Sequence, residues 1–260
     1  MKQLSAVAGL CLAAAGLLGS GSAQALLVDR GSGMLYDTVL NVTWLQDANY
    51  AKTSGFDADG KLTRDAGGGS APFGTPPGNV AMAWADNLVY GGYSDWRLPR
   101  HSPVSGSTYT FLPYSFDGST DSGWNIPSSF SELSHMYYVN LGLKGQYSPD
   151  GSSRSDYGIF GNGTPNGQND VGLVKNLQSW PYWSFSSSGA PTVFSFGGGS
   201  QVDPFTWLSV GEHPGFFAWA VRDGDVTVVP VPGSVALLVG GLALLGVMTR
   251  RRGRLAVDKS

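Results

Sequence analysis

The apolar positions of this chain change their rhythm along its length. Leu4 to Leu18 is an almost unbroken apolar run behind Met1-Lys2. Met34 to Leu45 alternates β-favouring with polar residues around Asp37-Thr38 and Asn41, which predicts a hairpin. Asn79 can cap a helix on which Ala81, Trp84, Ala85 and Leu88 fall at i, i+3, i+4 and i+7, ended by Gly91-Gly92. Ser129-Phe-Ser-Glu132 reads as a capping box for a second helix, with Leu133, Met136, Tyr137 and Leu141 on one face before Gly142. Strand patterns return at Trp180 to Ser186, Thr192 to Phe196 and Phe216 to Arg222. Gly/Ser/Asn-rich loops are expected at 52–78, 101–128 and 144–170. Strands, two helices and further strands predict the α+β class, and no fixed repeat suggests a propeller or solenoid.

The two ends carry addressing signals. A basic start, the apolar run and Ala23-Gln24-Ala25 form a secretory signal peptide over 1–25, with cleavage after Ala25 and export through the Sec translocon. At the other end no charge occurs from Val231 to Thr249. Residues 233–249 are close to the length that a helix rising 1.5 Å per residue needs to cross a hydrocarbon core of roughly 30 Å. Arg250, Arg251, Arg252 and Arg254 follow at once, the basic tip that stays cytoplasmic when the N-terminus is exported. The expectation is therefore a C-terminal transmembrane helix behind an exported domain, with a short tail at 255–260.

Composition narrows what that domain, residues 26–225, can do. The single cysteine, Cys11, lies in the signal peptide, so thiol nucleophiles, redox pairs and Cys-ligated zinc are absent from the mature chain. Of the 19 acidic residues only Asp258 lies outside 26–229, whereas six of the 16 basic ones do, which leaves that stretch a net charge of about −8. Such acidity argues against nucleic acid as a partner.

Candidate chemistry is sparse. His101, His135 and His213 share no metal-ligand spacing, His135 reads as a surface or half-buried residue, and neither H-E-x-x-H nor G-x-S-x-G occurs. Asp57-Ala-Asp59-Gly60 begins like a calcium loop, making Asp57 and Asp59 the candidate calcium ligands, but Lys61 and Gly68 stand where further ligands are needed. Glu132 and Glu212 are the mature domain's two glutamates, and Glu132 already serves the capping box. Trp44, Trp84, Trp96, Trp183 and Trp219 lie in periodic elements and are expected in the core. Tyr109, Tyr114 and Trp124 lie instead in the 101–128 loop, where aromatic faces can stack on sugars or pin the loop itself. Arg97 and Arg222, neighbours in sequence of acids such as Asp95 and Asp223, read as structural.

Two resemblances extend this reading. Val229-Pro230-Val231-Pro232-Gly233, the apolar run and the arginine tip, 226–254 in all, resemble the PEP-CTERM type of sorting signal. Val231 replaces the usual Glu, which brings the motif closer to the VPLPA variant. The resemblance implies processing by an exosortase-type enzyme of a Gram-negative bacterium. The middle, through Gly91-Gly-Tyr-Ser-Asp-Trp96-Arg97-Leu98-Pro99, Tyr182-Trp-Ser184 and Phe217 to Gly224, resembles the Lcl C-terminal domain family. That implies a C-type-lectin-like fold with a small twisted antiparallel sheet, two helices and long loops, and relatives that recognise polyanionic glycans. The expected function is a non-catalytic surface or matrix protein, membrane-held in transit, that binds exopolysaccharide. A secreted carboxylate hydrolase, using Glu212 with Asp203, and a purely structural envelope component are the alternatives.

Overall fold

Short strands dominate the regular structure of the described residues, 27–62, 79–186, 191–202 and 215–226 of a computed structural model. The first three are β1 (Leu27–Gly31), β2 (Met34–Asp37) and β3 (Val42–Leu45). The expected hairpin is β2–β3, antiparallel with Met34 opposite Leu45, and Asn41 takes the left-handed conformation at its turn. The last strand, β13 (Val221–Asp223), pairs with β3 and sets Val221 opposite Trp44, so the sheet runs β1-β2-β3-β13 and joins the two ends of the described chain.

The second sheet is built on β9 (Pro181–Ser186), β10 (Pro191–Ser195) and β11 (Ser200–Val202). All six residues of β9 are buried, as expected of a strand covered on both faces, where the sequence reads apolar rather than alternating. One edge of β9 pairs with β10. Its other edge is shared in parallel by β12 (Phe216–Phe217) and β5 (Arg100–His101). β4 (Lys61–Leu62) extends this sheet beyond β12, and β6 (Gly123–Trp124) extends it beyond β11. A separate hairpin joins β7 (Gln168–Val171) to β8 (Val174–Gln178).

Helix is scarce. α1 (Tyr50–Thr53) and α3 (Glu132–His135) have four residues each and α2 (Asn79–Asp86) has eight. The α+β, C-type-lectin-like expectation is therefore corrected to a mostly β architecture. The second predicted helix makes one α-turn and then widens into a π-turn, Met136–Asn140. Tyr137, Tyr138 and Val139 lose side-chain freedom in a regular helix, and the burial of Leu133, Met136 and Tyr137, which the pattern did foretell, is met without one. The expected spanning helix at 233–249 lies outside the described residues, and among these no helix is long and apolar enough to cross a membrane.

The core is aromatic. Trp44, Trp84, Trp96, Trp183 and Trp219 are all at most 5% exposed. Trp219 tilts against Trp44 with ring centroids 4.9 Å apart and donates its indole N–H to the Leu45 carbonyl at 2.7 Å, bridging the two sheets. Tyr182 of β9 packs against Trp219, Phe196 and Phe217.

Candidate functional site

The segment Trp96-Arg97-Leu98-Pro99 forms a clasp rather than a binding surface. Trp96 and Leu98 are buried, while Arg97 reaches two elements, α3 and β13. Its guanidinium makes a two-pronged bond to Glu132 of α3, 2.8 Å on each arm, and also pairs with Asp223 of β13. Glu132 further accepts the Arg100 N–H at 2.7 Å. Glu132 is thus no capping-box residue. Ser131, not Ser129, is the N-cap of α3, its hydroxyl accepting from Ser134 N. Arg222 turns to Asp95 with bonds of 2.8 and 2.9 Å and lies 4.1 Å over the Tyr93 ring. Both arginines are structural, each answering an acid on a distant segment rather than its sequence neighbour.

The histidines and the aspartate pair are likewise absorbed locally. His135 is buried, not at the surface, with Nε2 3.4 Å from the fully buried Asp37 carboxylate. His101 lies behind β9, with Nδ1 3.0 Å from the Thr192 hydroxyl, and burial pushes its pKa down to about 4. Asp57 accepts the Asp59 and Gly60 N–H groups at 2.9 and 2.8 Å, and Asp59 accepts that of Lys61. These carboxylates tie a turn, and among the described residues no group of three or more His, Cys, Asp or Glu is arranged to hold a metal ion. His213, Asp203 and Glu212 lie outside the described residues, as do Ala23, Ala25, the 229–233 motif and the arginine tip.

The 101–128 loop is where a cleft forms. Asp121, 1% exposed, holds the loop by accepting Val104 N at 2.7 Å on one oxygen and Thr110 N at 2.6 Å on the other. Its carbonyl accepts the Gln201 side-chain amide, tying the loop to β11. Pairing of β6 with β11 sets Trp124 opposite Ser200, beside the Gly197-Gly198-Gly199 turn between β10 and β11. The Tyr138 hydroxyl closes this corner, accepting from Asn125 N at 3.1 Å and donating to the Gly199 carbonyl at 2.6 Å. Burial raises its pKa to about 12, so it stays protonated and keeps that donor. Gly199 is required here: its φ is +72°, and a Cβ would meet Tyr137 and the Tyr138 hydroxyl at 2.7 Å.

The cleft has a volume of about 480 Å³, with Tyr114, Trp124, Tyr157 and Trp180 as aromatic walls and Gln146 and Gly198 between them. Trp124 is itself supported, stacked on Phe116 at 5.5 Å and edge-on to Tyr147 at 4.6 Å. The indole N–H of Trp124 is buried, with no hydrogen-bond partner among the described residues. Of the three loop aromatics singled out in the sequence, Tyr114 and Trp124 therefore come together. Tyr109 does not: it stacks on Phe111 and donates its hydroxyl to the His101 carbonyl at 3.3 Å. Tyr157, Trp180, Gln146 and Gly198 escaped sequence reasoning, and the Gly197-Gly198-Gly199 run was the one signal pointing to a bare wall.

None of the described residues lining the cleft is Asp, Glu, His, Lys or Arg. These residues offer ring faces and uncharged hydrogen-bonding groups and, among themselves, no acid–base pair. In comparisons with known proteins, no family model, no curated protein and no solved structure matches the chain.

Proposed function

We propose that the chain is an exported surface or extracellular-matrix protein whose domain binds glycan without catalysis, and whose C-terminal segment addresses it to an exosortase-type processing enzyme. The observation that supports binding is the aromatic cleft at Tyr114, Trp124, Tyr157 and Trp180, which has ring faces for sugars and no carboxylate pair among its described lining residues. Export and processing rest on the sequence: the leader ending at Ala25, the Val229 to Gly233 motif and the basic tip. An exported domain is presented to polysaccharide, which gives such a cleft its ligand.

The test is retention of the full chain, produced with its leader, on exopolysaccharide from the native host. Retention is expected for the wild type and is lost in Trp124→Ala with the fold intact by circular dichroism. Equal retention of both, or retention of neither, would remove the cleft from this role. Mass spectrometry of the native protein checks the handling, with an N-terminus expected at Leu26 and a C-terminus between Pro230 and Ser234.

A further inference from the structure

The cleft's polar groups narrow its ligand further, an inference that rests on the glycan-binding reading. A methyl group built on Gly198 would lie 3.5 Å from Gln146 Oε1 and 3.9 Å from Trp124 Nε1, so both atoms border the same small space left open by glycine. The Gln146 backbone is fixed, its N–H donating to the Gly198 carbonyl at 2.9 Å and its carbonyl accepting from Arg154 N at 2.8 Å. Its carboxamide is therefore held at the cleft while making no side-chain hydrogen bond among the described residues. A carboxamide donates and accepts, which suits a sugar hydroxyl or acetamido group.

Charge selects in the same direction. No Lys or Arg is among the described residues that line the cleft. Lys61 pairs with Asp59 and lies 6.0 Å over the Trp180 ring, Lys144 pairs with Asp156, and Arg154 donates to the Ser148 hydroxyl. A sulfate or carboxylate entering the cleft would lose water without meeting a cation among the described lining residues, which is costly. A net charge near −8 over residues 26–229 also repels polyanions.

We propose that the cleft selects uncharged glycans, resting the pyranose face on its aromatic walls and holding a hydroxyl or acetamido group at Gln146 beside Gly198. This sets it apart from the polyanionic ligands that the Lcl resemblance implies.

Calorimetric titration of the full chain in detergent tests this, using gluco-oligosaccharides and N-acetylglucosamine oligomers against uronate and sulfated oligomers. A neutral series is expected to bind, with an affinity nearly unchanged between low and high salt. Gly198→Ala is expected to weaken binding by about tenfold or more, since its methyl fills the space at ordinary contact distances without straining the turn. Gln146→Leu, which keeps the bulk and removes the amide, is expected to do the same. Salt-sensitive binding of the anionic series alone, or neutral binding untouched by both substitutions, would overturn the neutral-ligand assignment while leaving glycan binding standing. Binding of neither series would overturn both readings.

Discussion

The clasp at Arg97 and the cleft at Trp124 both place polar groups among buried aromatic residues and end in opposite states. In the clasp every prong of the guanidinium meets an acid or a carbonyl, and Glu132 is filled by Arg97 and the Arg100 N–H. In the cleft the Gln146 carboxamide has no such partner among the described residues, and it borders the gap at Gly198. A saturated polar cluster holds elements together and offers a ligand nothing. A residual donor and acceptor beside an open volume offer it something. An unsatisfied polar atom is not sufficient by itself: His101 Nε2 also lacks a hydrogen bond among the described residues, but His101 is 4% exposed and packed against Tyr109.

Substitutions can break this contrast, and the largest effect belongs to the core. Trp219→Ala removes a fully buried ring and its bond to Leu45, and urea unfolding should show a loss of about 3–5 kcal/mol. Arg97→Ala leaves Glu132, 16% exposed at its side chain, without its cation. It should cost about 3 kcal/mol, with glycan affinity unchanged in the protein that still folds. An Arg97 variant that folded normally but lost binding would mean that the clasp, too, belongs to the site.

Acid probes the buried histidine. His101 has its pKa lowered by burial to about 4, against about 6.5 when unfolded. Between those values the unfolded chain binds more protons. Its stabilising contribution is therefore full above the unfolded value and is lost as pH falls towards 4, by about 3 kcal/mol in total. Unfolding midpoints measured across that window should decline in the wild type and decline less in His101→Gln. Trp124→Ala should cost only about 1 kcal/mol, the scale of its contacts with Phe116 and Tyr147, while abolishing binding. Gly198→Ala is the smallest in stability, within about 1 kcal/mol of wild type by thermal melting, and so separates binding from folding most cleanly.

Much of the scaffold was legible in the sequence because it obeys short-range rules. Alternation placed the Met34–Leu45 hairpin, and periodicity placed Trp84 and Tyr137 in the core. The class was misread where one apolar face was taken as proof of a long helix. Leu133, Met136 and Tyr137 do share a buried side, but a single α-turn and a π-turn present them just as well. The sequence marked Arg97 and Arg222 as structural but not their partners. The two exchange acids across the pairing of Arg97 with Val221 of β13, a contact far apart along the chain. The cleft was half legible: Tyr114 and Trp124 stood out as aromatics in a long loop. Gln146, Tyr157, Trp180 and Gly198 reach it through β6–β11 pairing and the β10–β11 turn, contacts far apart along the chain.

Indole N–H resonances offer a reading of the cleft residue by residue. With the Trp124 signal assigned by comparison with Trp124→Phe, titration with a neutral oligosaccharide that binds should move that resonance saturably. The signals of Trp44 and Trp219, locked in the core, should stay in place. Saturable binding that left the Trp124 signal unmoved would place the ligand elsewhere and contradict the site described at Gly198.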